Sequence, residues 1–315
     1  RWDNRLNWST EDLPGPIDGD SVDLAGNWVN YDGTTTLEDM DFGDGGRLTV
    51  NHGRLNIDGA TMTDGNDSRL MIDDAGQVWV SGYEDEDVLN IDVDGGRFAN
   101  TGDFDGTALL EVTDGQAILA TSGARYDVSN GSTLDITGDD AKVGFDGADG
   151  DTAVLRLDEG GTLSFAAGED GALGTIEEFR SGANGDAPVD VQSGVNLGQG
   201  ALALDFSGIA GGASAHTLIS VDQMVGTFSD IDVTGLAGNR DAELIFDYVN
   251  DQLTLQIGEA GTGSGQFNLS VNGEDQDELG LTALWDALTS DRAPLPDDHI
   301  ADELRVNGEL EDVVV

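Results

Sequence analysis

The sequence predicts an all-β protein, a right-handed parallel β-helix (β-solenoid), and three observations support this prediction. A short phrase recurs in which alternating apolar residues precede a polar, glycine-containing turn, and the alternation resumes after it. Alternation with a period of two is typical of strands that bury one face. The repeat is about 20 residues long, and no helical periodicity interrupts it between residues 47 and 258. We therefore expect coils that stack on one another.

The recurring phrase is clearest in six segments of the chain. These are Leu48–Ile57, Leu70–Val80, Leu89–Phe98, Leu109–Leu119, Tyr126–Ile136 and Leu155–Phe165. Their turn glycines are Gly53, Gly76, Gly96, Gly115, Gly131 and Gly161, at spacings of 23, 20, 19, 16 and 30 residues. A β-sandwich is the alternative fold, because short strands separated by regular turns are typical of sandwiches as well.

The beginning of the chain differs from this repetitive centre in being rich in Trp. Residues 1–46 contain three of the five Trp residues, Trp2, Trp8 and Trp28. A stacked β-helix has an open first coil with unpaired backbone groups, and aromatic side chains suit a lid over it. We expect an aromatic N-terminal cap at 1–46 and the β-solenoid at 47–258.

The end of the chain also departs from the repeat. Residues 259–265 are rich in Gly, Ser and Thr and predict a flexible linker. Residues 266–315 predict a small mixed extension of strands and one helix, because apolar residues within Glu278–Leu288 recur at helical spacing. A strand-like tail can add to a neighbour's sheet edge, which predicts homo-oligomers or filaments joined through the terminal segments. The alternative is that the tail caps the chain's own solenoid or begins another domain.

The charge of the chain excludes several classes of protein. It has 63 acidic and 13 basic residues, a formal net charge of −50. Phosphate backbones repel such a chain, so we expect no nucleic-acid partner. No apolar run approaches the length needed to span a bilayer, so no membrane span is expected. The absence of Cys excludes disulfides, thiolate metal sites and thiol nucleophiles.

The acidic composition also bears on location, because a chain of this charge repels itself unless ions screen it. This predicts an extracellular or cell-surface protein of a bacterium or archaeon in a saline or calcium-rich setting. The cytoplasm of a halophile is the alternative.

Calcium is the predicted metal, because hard oxygen ligands in tight turns suit it. Asp146, Asp149 and Asp151 place three carboxylates in one glycine-rich loop, and Asp64 and Asp67 form a similar, smaller group. Neither group has the ligand spacing of an EF-hand or of the nine-residue calcium repeat.

Two stretches of the chain resemble the extracellular β-helix passengers of bacterial autotransporter-type and related surface proteins. The opening stretch contains Asn7-Trp8-Ser9, Leu13-Pro14-Gly15 and then Gly19-Asp20-Ser21-Val22-Asp23-Leu24. The closing stretch contains His216-Thr217-Leu218-Ile219-Ser220, Val225-Gly226-Thr227-Phe228 and Leu253-Thr254-Leu255. The resemblance implies secretion, a parallel β-helix and a role in adhesion or a surface layer. It supplies no catalytic residues.

An enzyme is not expected. A lyase acting on acidic polysaccharide needs a basic group for proton transfer and a cation to neutralise the uronate, and a glycosidase needs two facing carboxylates. Paired acids occur at Asp73-Asp74 and Asp139-Asp140, but no cluster of Lys or Arg accompanies them. We expect a secreted structural protein that self-assembles into filaments or a surface layer and is stabilised by calcium. The alternatives are an adhesin that binds carbohydrate and a polysaccharide-active β-helix enzyme.

Overall fold

A computed structural model describes most of the chain. The described residues are 21–58, 62–63, 68–83, 89–121, 123–129, 131–146, 152–179, 192–198, 200–209, 212–272, 305–307 and 313–314. This part of the protein is all-β, as predicted, and contains no helix. The predicted helix at Glu278–Leu288 and residues 1–20 of the predicted cap lie outside the described residues.

The strands follow one another at short intervals. In chain order they are β1 (Val22–Asp23), β2 (Trp28–Tyr31), β3 (Thr34–Leu37), β4 (Met40–Asp41), β5 (Arg47–Ile57), β6 (Met62–Thr63), β7 (Ser68–Val80), β8 (Leu89–Asp94), β9 (Arg97–Asn100), β10 (Ala108–Val112), β11 (Gly115–Ala120), β12 (Arg125–Val128), β13 (Thr133–Thr137) and β14 (Ala141–Phe145). They continue with β15 (Thr152–Leu157), β16 (Thr162–Ala166), β17 (Thr175–Glu178), β18 (Gln192–Asn196), β19 (Ala201–Asp205), β20 (Ser214–Ser220), β21 (Gln223–Val225), β22 (Asp230–Thr234), β23 (Ala242–Asp247), β24 (Gln252–Ile257), β25 (Phe267–Asn272), β26 (Arg305–Asn307) and β27 (Val313–Val314).

Most strands pair in parallel with the strand one repeat later, which produces long ladders. Ladder 1 runs through β2, the first half of β5, the first half of β7, β8, β10, β13, β16, β19, β22 and β26. Ladder 2 begins with β3, the second half of β5, the second half of β7, β9, β11, β14, β17 and β20. The parallel pairing that the sequence predicts is therefore confirmed.

A third set of parallel pairs completes each passage of the chain. It contains β1, β4 and β6, then single bridges that link Tyr83 to Phe104 and Phe104 to Tyr126, and then β12, β15, β18 and β21. We call these pairs ladder 3, and we call one passage through the three ladders a rung. Rung 1 holds β1–β3, rung 2 β4 and β5, rung 3 β6 and β7, rung 4 Tyr83, β8 and β9, and rung 5 Phe104, β10 and β11. Rung 6 holds β12–β14, rung 7 β15–β17, and rung 8 β18–β20.

The core consists of apolar side chains that stack from rung to rung. One inner column of ladder 1 contains Leu48, Leu70, Ile91, Leu110, Leu134, Leu163 and Leu202, all buried and in register. Burial of each such side chain contributes about 1.5–3 kcal/mol. On ladder 3 the stack is aromatic, with ring centroids 5.0 Å apart for Tyr83 and Phe104 and 4.5 Å apart for Phe104 and Tyr126.

The last part of ladder 2 changes direction. Strand β20 pairs antiparallel with β24, which pairs antiparallel with β23, and β25 then runs parallel to β23. Phe267 and Leu269 of β25 are buried, so this strand belongs to the core. Strand β26 pairs with β22 and β27 with β25, so both tail strands pair within their own chain. These pairs favour the capping alternative for the tail.

The segment predicted as a flexible linker packs against Asp241. The Asp241 carboxylate accepts hydrogen bonds from the backbone N–H groups of Ser264 (2.7 Å) and Gln266 (3.0 Å). These bonds lower the pKa of Asp241 below its ordinary value, because they stabilise the ionised carboxylate.

Candidate functional site

The predicted calcium ligands fall mostly outside the described residues. Asp64, Asp67, Asp149 and Asp151 are among the residues whose placement the structure does not describe. Asp146 is described, and its carboxylate lies 3.3 Å from the Arg97 guanidinium as an ion pair. Within the described part of the chain, no three His, Asp or Glu side chains are grouped as metal ligands would be. Calcium therefore stays a prediction.

The outward positions of ladder 2 carry no carboxylate from rung 1 to rung 6. One outer column contains Thr34, Arg54, Gln77, Arg97, Gln116 and Lys142, and the other contains Thr36, Asn56, Trp79, Ala99, Ile118 and Gly144. The last three of the second column, Ala99, Ile118 and Gly144, are buried, and the other nine positions are at least partly exposed. The first carboxylate on these columns is Glu177, opposite Gly144 on rung 7. We call these twelve positions, six in each column, the acid-free face.

The centre of the acid-free face is an indole between two guanidinium groups. The Arg54 guanidinium carbon lies 4.2 Å from the ring centroid of Trp79, and that of Arg97 lies 5.0 Å from it. The parallel registers bring the three together, since Arg54 and Arg97 lie on the rungs before and after that of Trp79. Cation–π attraction at a partly exposed site of this kind is worth about 0.5–1 kcal/mol for each pair. Sequence spacing did not reveal this cluster, although a Gly-Arg-apolar triplet recurs at Gly53-Arg54-Leu55 and Gly96-Arg97-Phe98 and indicates equivalent Arg positions.

The corresponding outer positions of ladder 1 form a row of carboxylates. Asp92, Glu111 and Asp135 occupy one column on rungs 4, 5 and 6. Strands in a ladder are about 4.8 Å apart, so these charges repel one another. Desolvation and then the charges of Asp92 and Asp135 raise the pKa of Glu111 above its ordinary value. We call Asp92, Glu111 and Asp135 the acidic row.

The acidic row borders an open depression of about 490 Å³. Its lining includes Arg47, Arg69, Asn90 and Leu109 beside Asp92 and Glu111. Arg69 forms an ion pair with Asp92 at one end of the row.

A group of buried charges lies on ladder 3. The Arg125 and Asp127 side chains are 3% and 1% exposed, and Arg125 Nε lies 2.9 Å from Asp127 Oδ1. The Oδ2 atoms of Asp103 and Asp105 lie 3.8 and 3.9 Å from Nη2 of the same guanidinium. A buried guanidinium without carboxylates would be costly, so these acids are required by the structure itself.

Two of the three histidines lie in the described residues, far apart. His52 is exposed, and its Nδ1 is 4.0 Å from Asp32 Oδ1. His216 contacts the Ser214 hydroxyl, and its pKa is lowered by desolvation and by the positive charge of Arg240. Neither stands beside the acidic row.

Aromatic side chains are divided between the core and the surface. Tyr83 and Phe98 are fully buried, whereas Trp79 points outward and Trp28 is 72% exposed. The Arg47 guanidinium stacks over the Trp28 ring, with its central carbon 4.6 Å from the ring centroid. Trp28 and Trp79 are therefore the Trp side chains that the described surface offers to a sugar ring.

Comparison with known proteins identified no relative of this chain. No protein-family model, curated protein or solved structure matches the chain. No helix in the described residues is long and apolar enough to cross a membrane.

Proposed function

We propose that the chain is a right-handed parallel β-solenoid that serves as a non-enzymatic structural protein of a cell surface or extracellular matrix. The observation that carries this proposal is the uninterrupted parallel register of ladder 1 from β2 to β22. With strands about 4.8 Å apart, nine such strands span roughly 40 Å. A stack of this kind is a stiff rod whose outer side chains repeat at a fixed spacing.

The filled interior also favours a structural role. Leu, Ile and Val side chains of the inner columns and the aromatic stack of ladder 3 fill the interior of the solenoid. Several outward Arg side chains are engaged in ion pairs or stacks within the chain, as with Arg97 and Asp146 or Arg47 and Trp28.

The proposed setting is extracellular, saline and rich in calcium, and the proposed product is a filament or a surface layer. The net charge of −50 and the resemblance of the terminal stretches to secreted β-helix passengers support this setting. Calcium would screen the self-repulsion and bridge carboxylates of neighbouring copies.

Electron microscopy and X-ray scattering test this proposal. The purified full chain is compared in calcium, in excess chelator, and in sodium chloride of the same ionic strength as the calcium sample. We expect single rods in chelator and ordered filaments or sheets in calcium. Single rods under all three conditions would contradict self-assembly, and a compact, spherical scattering profile would contradict the solenoid.

Carbohydrate adhesion is the second candidate function, favoured by the exposure of Trp28. A glycan array probed with the wild type and with Trp28→Ala tests it. Glycan binding that depends on Trp28 would favour an adhesin.

A further inference from the structure

We propose that copies of the chain associate side by side, with the acid-free face of one copy packed against the acidic row of the next. The inference rests on the proposed self-assembling function and names the surfaces through which it occurs. It replaces contacts through terminal strands, because β26 and β27 pair within their own chain.

A second acidic molecule that approaches the acid-free face meets cations and no carboxylate on the strands themselves. The chain carries 63 acids, yet the nine solvent-accessible positions of this face hold none and include Arg54, Arg97 and Lys142. Arg54 and Lys142 are exposed, and Arg97 is half-buried beside Asp146. Carboxylates occur in the adjoining turns, at Asp139 among others, whose carbonyl accepts a hydrogen bond from Lys142.

The charged groups of the two surfaces repeat at spacings that are simple multiples of each other. The cations of the acid-free face stand on rungs 2, 4 and 6, so they repeat at roughly 10 Å, while the carboxylates of the acidic row repeat at about 4.8 Å. Both spacings derive from the same rung height. A neighbouring rod can therefore place Asp92 and Asp135 opposite two successive cations, with Glu111 between those cations, without distortion of either chain.

The acidic row needs more positive charge than its own chain supplies. Asp92 has Arg69 as a partner. The pKa of Glu111 is raised because its desolvation and its neighbours Asp92 and Asp135 outweigh the effect of Arg69. Asp135 Oδ1 is a buried atom with no hydrogen-bond partner. Cations from a second copy would relieve this excess of negative charge.

The contact joins different surfaces of the two copies, so it does not close on itself. A heterologous contact of this type continues from copy to copy and produces open arrays. Overall repulsion between chains of charge −50 has to be screened, so the arrays should require salt or calcium.

Sedimentation velocity of the full chain in calcium tests the inference with charge-matched variants. The variant Arg54→Gln/Lys142→Gln removes two cations from the acid-free face, and the control Arg156→Gln/Arg305→Gln removes two cations from strands β15 and β26, which carry neither surface. We expect self-association to weaken roughly tenfold in the first variant and to change little in the control. Thermal melting checks that both variants are folded.

A mixing experiment identifies the second surface. The variant Glu111→Gln/Asp135→Asn lacks most of the acidic row and should also fail to form arrays by itself. Mixed with Arg54→Gln/Lys142→Gln, it still offers an intact acid-free face to the intact acidic row of the other variant. We expect a one-to-one complex in the mixture, which no single-surface mechanism produces.

The results separate this inference from the function on which it rests. A wild type that stays monomeric in calcium would overturn self-assembly itself. Arrays of wild type that persist in Arg54→Gln/Lys142→Gln would overturn the surfaces named here and leave the structural function intact. Binding of soluble alginate by wild type, lost in that variant without any change in self-association, would assign the face to an acidic polysaccharide and also overturn the inference.

Discussion

At the scale of single residues, a buried amide ties three rungs together. The Asn100 side chain donates hydrogen bonds to the carbonyls of Gly102 (2.6 Å), Leu119 (3.0 Å) and Arg125 (3.3 Å). Asn100→Ala should lower the free energy of unfolding by about 3 kcal/mol, because buried carbonyls lose their donor. Urea denaturation measures this loss. Asn56→Ala, at a half-buried outward position, is the control and should cost less than about 1 kcal/mol.

The acidic row makes stability depend on pH through Glu111. Its pKa is raised in the folded protein, so stability is greatest below the ordinary pKa of Glu and is lost as the pH rises through the raised value. Glu111→Gln should therefore raise the melting temperature at pH 7, and high salt should diminish the gain. Melting curves between pH 3.5 and 7, chosen to bracket the ordinary value of about 4.3, measure it.

Asp205 provides the opposite case. Hydrogen bonds from Ser207 lower the pKa of Asp205, so its stabilisation is present above the ordinary pKa of Asp and is lost as the pH falls through the lowered value. Asp205→Asn should lower the melting temperature at pH 7.

If Glu111→Gln also lowered the melting temperature at pH 7, repulsion within the acidic row would not be a determinant of stability.

At the scale of strands, Gly144 permits close approach between rungs 6 and 7. A Cβ atom on Gly144 would lie 1.6 Å from the carbonyl oxygen of Glu177 in the paired strand β17. Gly144→Ala should force β14 and β17 apart and cost more than about 3 kcal/mol. In the control Gly238→Ala the added Cβ has no neighbour within 4 Å, so its melting temperature should be close to that of the wild type. Equal stabilities of the two variants would contradict the register of ladder 2.

Strand β25 divides the C-terminal region into a core part and a tail. A chain that ends at residue 272 keeps Phe267 and Leu269 in the core, whereas one that ends at residue 265 loses both side chains. The shorter chain should lose about 3–6 kcal/mol relative to the longer one. Denaturation of the two truncated chains measures the difference. Deletion of residues 262–315 should therefore be more damaging than deletion of 273–315.

At the scale of the whole molecule, the stack itself increases the repulsion between charges. The carboxylates of the acidic row lie on adjacent rungs about 4.8 Å apart, a distance longer than the Debye length of about 3 Å at 1 M salt. A rise in sodium chloride from about 0.05 to 1 M should therefore increase the melting temperature. Sorbitol at equal osmolality is the control. A melting temperature that sorbitol raises as much as salt does would indicate that exclusion from the protein surface, and not charge screening, is responsible.

Much of the fold could be predicted from the sequence, because it depends on local alternation. Segments such as Leu70–Val80 and Leu155–Phe165 become strands β7, β15 and β16, and their parallel pairing follows from the repeat. The reversal at β24 escaped prediction because strands β23 and β24 alternate in the same way as the parallel strands do. Alternation fixes the buried face of a strand and leaves its direction open.

The sequence by itself determined the strand content, the repeat and the strongly acidic surface, because each is a property of composition or of neighbouring residues. The tertiary structure alone decided which outward side chains meet. Paired residues are 19 positions apart for Trp28 and Arg47 but 39 apart for Leu163 and Leu202. Loops of unequal length connect rungs of equal height, so sequence spacing cannot place Arg54 and Arg97 on either side of Trp79. Only the registers of the completed ladders place the residues of the acid-free face side by side on ladder 2 and those of the acidic row on ladder 1.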